Sequence, residues 1–210
     1  MRTLQKANSL KAPEGYPLHS LLPALSEPIR KPIVDSVGSK ITGKKVAILI
    51  EREYQDLEVW YPYFRLQEEG ASLELLAPEK KTYLGKFGYP APADHAINQV
   101  DPNSYDCVIV PGGFAPDFLR HHPPSIAFVA KAYKAGKVIA SICHGPWVLA
   151  SAGILKGKKA TCFFAIADDV KNAGAKYKDA EVVVDGKLVT SRKPEDLPAF
   201  CRAIIKLLEH

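Results

Sequence analysis

Cysteine is scarce in this chain. The 210 residues include four cysteines, none of them in a CxxC pair: Cys107, Cys143, Cys162 and Cys201. Four thiols are too few for the disulfide scaffold of a small secreted domain, and no cysteine or histidine cluster has the spacing of a zinc site. We therefore expect a protein of the reducing cytoplasm that binds no metal.

Long apolar runs are also missing. No stretch approaches the roughly 20 apolar residues that are needed to cross a bilayer. Near the start of the chain, Pro13, Glu14 and Pro17 stand where the apolar core of a secretory signal would have to lie. The sequence predicts neither a membrane span nor a secretory signal.

Clustered positive charge and nucleotide-binding motifs are absent as well. The net charge is +5, but the basic residues are scattered and adjacent only in short pairs such as Lys44-Lys45 and Lys80-Lys81. A groove for nucleic acid needs basic residues grouped on one face. Neither GxGxxG nor GxxxxGKS/T occurs in the chain. We expect no nucleic-acid partner and no cofactor.

The composition that remains is that of an ordinary globular protein, with 47% hydrophobic and 24% charged residues. Residues 1–42 are rich in proline and show no sustained helical or strand period. They are interpreted as an arm, which either packs on the domain or a neighbouring subunit through its apolar spots or is disordered. Residues 43–210 form the predicted domain.

Apolar runs alternate with helical patterns through this domain. The run at 46–50 is fully apolar, which is typical of a strand buried on both faces of a parallel sheet, and largely apolar runs with one polar residue each occur at 73–77, 105–110 and 138–142. A hairpin with an Asp-Gly turn is predicted over 182–190, and the last helix has an apolar stripe that includes Cys201. The predicted fold is α/β, with a flavodoxin-like, doubly wound, mostly parallel sheet and helices on both faces. Its site should lie at the carboxyl ends of the strands.

Cys143 directly follows one of these strands and directly precedes a helix. That arrangement is typical of a nucleophile elbow, in which a sharp turn pushes one side chain out of the sheet. The nearby helix N-terminus favours the thiolate, so the thiol pKa should fall below the free value of about 8.5. Inert core packing is the alternative for a lone cysteine, and we accept it for Cys107 and Cys201.

Other groups that could take part in chemistry are also predicted at the carboxyl ends of the strands. Gly112 and Gly113 end a strand, and their N–H groups could stabilise an oxyanion together with that of His144. His144 could act as a base or support another residue, and its sequence position leaves both roles open. Glu58 lies in the first turn of a helix, where an acid complements the helix dipole.

Five stretches of the chain, at 45–58, 111–117, 140–146, 168–174 and 179–186, resemble the DJ-1/PfpI superfamily, whose fold is like that of class I glutamine amidotransferases. The likeness covers about residues 44–209 and is greatest to the PfpI branch of intracellular proteases, glyoxalases and deglycases. The resemblance implies that Cys143 is the nucleophile, that His144 follows it in the elbow, and that Glu58 hydrogen-bonds the thiol. It also implies that Asp117 acts from a neighbouring subunit of a homodimer or a hexamer of dimers.

Two departures from the family pattern affect the predicted function. Gln55 stands where a glutamate is usual, and Phe163 where a tyrosine is common. Losing a carboxylate and a hydroxyl favours thiol addition to an aldehyde over peptide hydrolysis. The leading hypothesis is cofactor-independent cysteine chemistry on small reactive carbonyls, of glyoxalase III or deglycase type, such as conversion of methylglyoxal to lactate or deglycation of early adducts. The alternatives are a PfpI-type cysteine peptidase or amidase, and a redox sensor or chaperone without turnover.

Overall fold

The buried apolar runs form parallel strands in the computed structural model, which describes residues 39–209. The strands are β1 (Lys45–Leu49), β2 (Ser72–Ala77), β3 (Thr82–Leu84), β4 (Pro90–Pro92), β5 (His95–Ala96), β6 (Cys107–Val110), β7 (Val138–Ile142), β8 (Lys159–Ala160), β9 (Lys176–Tyr177), β10 (Val182–Asp185) and β11 (Leu188–Ser191). The helices are α1 (Asp56–Glu68), α2 (Ala115–Arg120), α3 (Pro123–Lys134), α4 (Pro146–Ser151), α5 (Ala167–Asn172) and α6 (Leu197–Leu208).

Seven of these strands form one sheet in the order β10-β11-β7-β6-β1-β2-β5. Every pair is parallel except the predicted hairpin β10–β11. The central order β2-β1-β6-β7-β11 is that of a flavodoxin-like sheet, whose binding crevice lies where the strand order reverses, between β1 and β6. The predicted fold class is therefore confirmed.

Alternate strand residues contribute to two separate cores. Val46 and Ile48 of β1 pack on the face covered by α1 and α6, whereas Ala47 and Leu49 belong to the core on the face covered by α3, α4 and α5. Successive strand side chains point to opposite faces, so a fully apolar strand requires helices on both sides. The sheet is thereby held between two helical layers.

The two helices α1 and α6, which cover the same face of the sheet, differ in how much of their apolar surface they bury. In α6 the predicted stripe, with Phe200 and Cys201, is buried as expected. In α1, by contrast, Val59 and Leu66 are buried while other apolar side chains remain exposed. The exposed set consists of Leu57, Tyr61 and Phe64.

Several short elements were not predicted from the sequence. They are β3, β4, β5, β8, β9, α2 and α5, each of six residues or fewer. Segments this short carry too little periodicity to be recognised, because tertiary contacts rather than local propensity stabilise them. Two of them, β3 and α2, flank loops that are close to the candidate site.

The predicted arm lies mostly outside the described residues, since residues 1–38 are not among them. Of the remaining arm residues, Ile41 is buried in the α1–α6 core, and its N–H donates to the Glu69 carbonyl at 3.1 Å. No helix within residues 39–209 is long and apolar enough to cross a membrane.

We expect Phe200→Ala to destabilise the domain strongly, because Phe200 is one of the largest fully buried side chains. Removing a buried phenylalanine ring typically lowers the free energy of unfolding by about 3–5 kcal/mol. Arg202→Ala, at an exposed position of the same helix, is the matched control. Denaturant unfolding of both variants measures the difference, and equal losses would contradict the assigned packing of α6.

Candidate active site

Three chain segments meet at the carboxyl edge of the sheet. The segment after β1 leads through Gln55 into α1, the segment after β6 contains Gly112, and the segment after β7 contains Cys143. These strands are neighbours in the order β7-β6-β1. The site therefore lies at the switch point of the sheet, where parallel α/β folds bind their ligands.

Cys143 adopts the strained backbone of an elbow. Its φ is +60°, which side chains other than glycine rarely adopt, and its N–H donates to the Ser191 carbonyl at 3.2 Å. The next turn is so tight that a Cβ on Gly145 would lie 2.2 Å from the Val110 carbonyl oxygen. The elbow predicted from the strand–cysteine–helix order is thus present, and it leaves the Cys143 side chain 8% exposed.

Glu58 lies beside this thiol in the buried interior. Its side chain is 0% exposed, and Oε2 accepts the Gly112 N–H at 2.7 Å. A Cβ on Gly112 would lie 2.7 Å from Glu58 Oε2 and 2.9 Å from Cys143 Sγ. The carboxyl and the thiol therefore approach each other across a residue that has to be glycine.

The start of α1 is capped by Gln55. The Gln55 side chain accepts the Glu58 N–H at 3.1 Å, so a neutral amide fulfils the capping role at this helix N-terminus. The other oxygen of Glu58, Oε1, is buried without a hydrogen-bond partner among residues 39–209. An ionised carboxylate is costly in such a position.

The two buried groups compete for a proton. Burial raises the pKa of Glu58 to about 8, and the Gly112 N–H opposes that rise. Burial and the negative charge of Glu58 also raise the pKa of the Cys143 thiol, against the N–H groups of Gly113 and His144. This direction is opposite to our expectation from the sequence. The expectation took account of the helix start, but not of the burial of the thiol, which is the largest cause of the rise, or of the negative charge of Glu58.

His144 contacts the sulfur despite being the next residue in the chain. Its Nδ1 lies 3.2 Å from Cys143 Sγ. The ring packs against Phe163 at 5.1 Å and edge-on against Trp147 at 5.2 Å between centroids. Burial, followed by the charge of Lys86, lowers the pKa of His144, which favours a neutral imidazole. Neighbouring side chains rarely converge in this way, and here the positive φ of Cys143 turns them together.

One of the three N–H groups that were expected to form an oxyanion hole, that of Gly112, already donates a hydrogen bond within the protein. The Gly112 N–H donates to Glu58, whereas the N–H groups of Gly113 and His144 interact with the Cys143 sulfur. Gly113 has φ +78°, and a Cβ there would lie 2.3 Å from the Glu53 carbonyl oxygen. The loop can therefore take this shape only with glycine, and Gly113 and His144 are the donors nearest the reacting atom.

Asp117 is not brought to the thiol within one chain. It lies exposed in the first turn of α2, and its N–H donates to the Phe114 carbonyl at 2.9 Å. An exposed carboxylate at a helix start complements the helix dipole. Its role at a neighbouring subunit's site remains a prediction.

The remaining cysteines are buried thiols outside the elbow. Burial raises the pKa of all three, to about 12 for Cys162 and Cys201. Cys107 lies in the same core as Cys201, as expected from the sequence. Among residues 39–209, no group of three or more His, Cys, Asp or Glu side chains is arranged to hold a metal ion.

Sequence reasoning missed the residues that hold the neighbouring loop in place. The Asp56 carboxylate accepts the N–H groups of Phe87 at 2.9 Å and Tyr89 at 3.1 Å, which fixes the turn between β3 and β4 beside α1. Asp56 was visible as an acid in a first helical turn, but nothing local indicated its partners 31 and 33 residues away.

A model of the DJ-1/PfpI family matches residues 44–207. The chain belongs to this family. Deglycase TK1284 of Thermococcus kodakarensis is 47% identical over 164 residues, covering 78% of this chain and 99% of the relative. Deglycase PfpI of Pyrococcus furiosus is 43% identical, covering 79% of this chain and 99% of the relative. The putative cysteine protease YraA of Bacillus subtilis is 41% identical, covering 80% and 99%.

Solved structures agree with the fold. A two-domain protein of Anabaena variabilis, with DJ-1/ThiJ/PfpI-like and ferritin-like domains, superposes with a TM-score of 0.78 at 43% identity, covering 80% of this chain and 48% of that chain. Drosophila melanogaster DJ-1beta shares the fold alone, with a TM-score of 0.75 at 24% identity over 79% of this chain and 90% of its own. The resemblance predicted from the motifs is confirmed.

Glu58→Gln should remove a pH dependence of stability. Folded Glu58 holds its proton up to pH about 8, whereas the unfolded side chain loses it near 4.5. The free energy of unfolding of the unaltered protein should therefore fall as pH rises through this window, by roughly 5 kcal/mol in total. The variant, which has no ionisable group there, should show a flatter profile.

The control is Glu68→Gln, an exposed position on the same helix. It should keep the slope of the unaltered protein. Unfolding in urea at a series of pH values between 5 and about 8 measures all three proteins. Identical slopes for Glu58→Gln and the unaltered protein would mean that Glu58 is ionised throughout the window.

Proposed function

We propose that this chain is a cofactor-independent cysteine enzyme that converts small reactive carbonyl compounds, of glyoxalase III or deglycase type. The observation that carries the proposal is the position of the Cys143 sulfur, with Nδ1 of His144 at 3.2 Å and the buried Glu58 carboxyl on the other side of Gly112. A nucleophile with two proton-carrying groups beside it suits addition to a carbonyl followed by proton transfer.

The proposed reaction begins with addition of the Cys143 thiol to an aldehyde carbon. The S–H proton passes to Nδ1 of His144, a sulfur–carbon bond forms, and the carbonyl oxygen takes up a proton to give a hemithioacetal. The N–H groups of Gly113 and His144, which interact with the sulfur, are suitably placed to stabilise the developing oxyanion. Because Glu58 keeps its proton up to pH about 8, it can supply that proton near neutrality.

The second half is an internal oxidation and reduction. For methylglyoxal, the proton on the former aldehyde carbon moves to the adjacent carbon, and the hydroxyl proton of the hemithioacetal moves to the ketone oxygen, so that the first carbon becomes a thioester and the second an alcohol. Water then cleaves the sulfur–carbon bond, which releases lactate and restores the thiol. The sum is methylglyoxal plus water giving lactate, so no external oxidant is needed. Glu58 and His144 are the groups beside the sulfur that can carry the proton.

Deglycation would share the first step. An early adduct of an aldehyde with an amine or thiol would react at the same carbon, and the amine or thiol would leave. Relatives from Thermococcus kodakarensis and Pyrococcus furiosus carry the name deglycase, which supports this substrate class. The rings of Phe163 and Trp147 give His144 apolar neighbours, which suits a small carbonyl substrate.

A peptidase or amidase is the second candidate. The specific observation in its favour is the short contact between Cys143 Sγ and His144 Nδ1, since an imidazole could protonate a leaving amine. The Bacillus subtilis relative named putative cysteine protease supports it too. The neutral Gln55 cap and the ring of Phe163 favour the carbonyl reaction instead.

The purified protein should turn over methylglyoxal without glutathione or added metal, and faster than a fluorogenic peptide. Cys143→Ala should lower that rate by about a thousandfold or more, because no other thiol is in the elbow. Cys162→Ala, a buried thiol outside the elbow, is the control and should stay active. Turnover restricted to the peptide would favour the peptidase. An active Cys143→Ala enzyme would refute both candidates, and no turnover of either would favour a sensor or chaperone.

We further propose a cytoplasmic homo-oligomer in which Asp117 reaches the site of a neighbouring subunit. Asp117 lies in the first turn of α2, shortly after Gly113, and it is exposed, so it can contact another chain. The exposed apolar face of α1, with Leu57, Tyr61 and Phe64, supports a subunit contact. Orientation of His144 by that carboxylate would be its function.

Mixing inactive Cys143→Ala and Asp117→Ala oligomers should restore part of the activity. Some interfaces would then combine an intact Cys143 with an intact Asp117 from its neighbour, while each unmixed variant stays inactive. Native mass spectrometry verifies subunit exchange, and Asp168→Ala, another exposed acid in a first helical turn, serves as control. Full activity of Asp117→Ala alone, or no recovery after exchange, would contradict the shared site.

A further inference from the structure

Lys86 lies on a loop that is tied to the same segment as the oxyanion loop. Tyr54, just before α1, pairs with Gly85 on one side and with Gly113 on the other. The N–H of Lys86 donates to the Tyr54 carbonyl at 2.8 Å. Lys86 follows Gly85, and Phe114 follows Gly113. Both residues therefore lie beside the Tyr54 segment, which leads into α1 and Glu58.

The backbone around Lys86 is held firmly against α1. Asp56 accepts two N–H groups from the following residues, as described above, and a Cβ on Gly85 would lie 2.4 Å from Asp56 Oδ1. Asp56 is two residues before Glu58 on the same helix. The position of Lys86 relative to the candidate site is consequently set by hydrogen bonds and close packing.

Among the described residues, the ammonium group of Lys86 has aromatic neighbours but no salt-bridge partner. Its Nζ lies 5.8 Å from the ring centroid of Phe87 and 6.0 Å from that of Phe114. Within residues 39–209 no carboxylate forms a salt bridge with it, although other lysines such as Lys45 and Lys81 are paired. A lysine ammonium has three hydrogen-bond donors, and none of those of Lys86 is used in a salt bridge with a residue of the described range 39–209.

The charge of Lys86 also acts on the reacting groups. It opposes the rise that burial causes in the pKa of Glu58, and it adds to the fall that burial causes in the pKa of His144, the two groups beside the Cys143 sulfur. Its side chain is exposed at the protein surface. It therefore combines a positive charge that has no salt bridge within residues 39–209, an approach from solvent and electrostatic influence on the site.

We propose that Lys86 is a substrate-recognition residue, which binds a carboxylate or phosphate group on the molecule that Cys143 attacks. The preferred substrates would then be anionic carbonyl compounds, such as adducts on acidic metabolites, rather than neutral methylglyoxal. This inference rests on the proposed function for its choice of carbonyl substrates. Anion recognition itself can be measured separately, because it needs only attack by the thiol.

The probe is alkylation of Cys143 by iodoacetate and by iodoacetamide. In both reactions a sulfur–carbon bond forms and iodide leaves, and the two reagents differ chiefly in the carboxylate. The ratio of the two rate constants cancels any change in the thiolate fraction. In Lys86→Met this ratio should fall by about fivefold, the effect of one unit charge at about 4 Å in water.

Three variants complete the experiment. Lys86→Arg keeps the charge and should keep the ratio, and Lys86→Glu should lower it further than Lys86→Met. Lys206→Met makes the same change in net charge at an exposed position in the last turn of α6, which runs back towards the opposite edge of the sheet. It should leave the ratio unchanged. Circular dichroism verifies that each variant is folded, and mass spectrometry verifies that Cys143 is the alkylated residue.

A second measurement identifies the anion. Acetate and inorganic phosphate, compared at equal ionic strength, should slow alkylation by iodoacetamide in the unaltered protein more than in Lys86→Met. Greater protection by acetate assigns the subsite to a carboxylate, and greater protection by phosphate assigns it to a phosphate. An equal ratio of rate constants in Lys86→Met, Lys206→Met and the unaltered protein would overturn the proposal.

The two proposals fail in different ways. If no carbonyl compound is turned over but the alkylation ratio falls in Lys86→Met, the proposed reaction is wrong and the anion subsite stands. If methylglyoxal is turned over and the ratio does not respond to Lys86, the reaction stands and the subsite is wrong. For an active enzyme, the KM of a methylglyoxal hemithioacetal of N-acetylcysteine should rise in Lys86→Met relative to that of the uncharged N-acetylcysteine amide.

Discussion

The site depends on one buried carboxyl group. Glu58 is fully buried, receives the Gly112 N–H, and lies next to the Cys143 sulfur across a glycine. An ionised group in this place is costly, so the proton that is shared between carboxyl and thiol determines which species is present at neutral pH. The fold keeps this acid close to the sulfur by starting α1 directly after the segment that pairs with the Gly112–Gly113 loop.

The surrounding backbone is shaped by close approach. Cys143 has a positive φ, and Gly112, Gly113 and Gly145 each occupy positions where a Cβ would collide with a neighbour. The loops that follow three adjacent strands can converge only because these three glycines have no side chain. The strain at the elbow brings His144 onto the sulfur, which sequence adjacency alone would not predict.

Membership of the DJ-1/PfpI family and the geometry of the elbow independently support the proposed chemistry at Cys143. The family match covers residues 44–207 and brings relatives named deglycase and putative cysteine protease. The geometry adds features that a name does not carry, namely a neutral cap at Gln55, a ring at Phe163 in contact with His144, and a charge at Lys86. These features bear on substrate choice more than on the nucleophile.

The sequence by itself determined the alternation of strands and helices, the two-sided burial of the sheet, and the elbow cysteine, because apolar runs and strand–turn–helix junctions are local patterns. It also indicated the glycines at strand ends. Only the tertiary structure decided that Glu58 is buried, that it occupies the Gly112 N–H, and that the pKa of Cys143 is raised rather than lowered. Those properties arise from contacts between residues more than 50 positions apart, such as the 54 that separate Gly112 from Glu58, and no local pattern encodes burial at that distance.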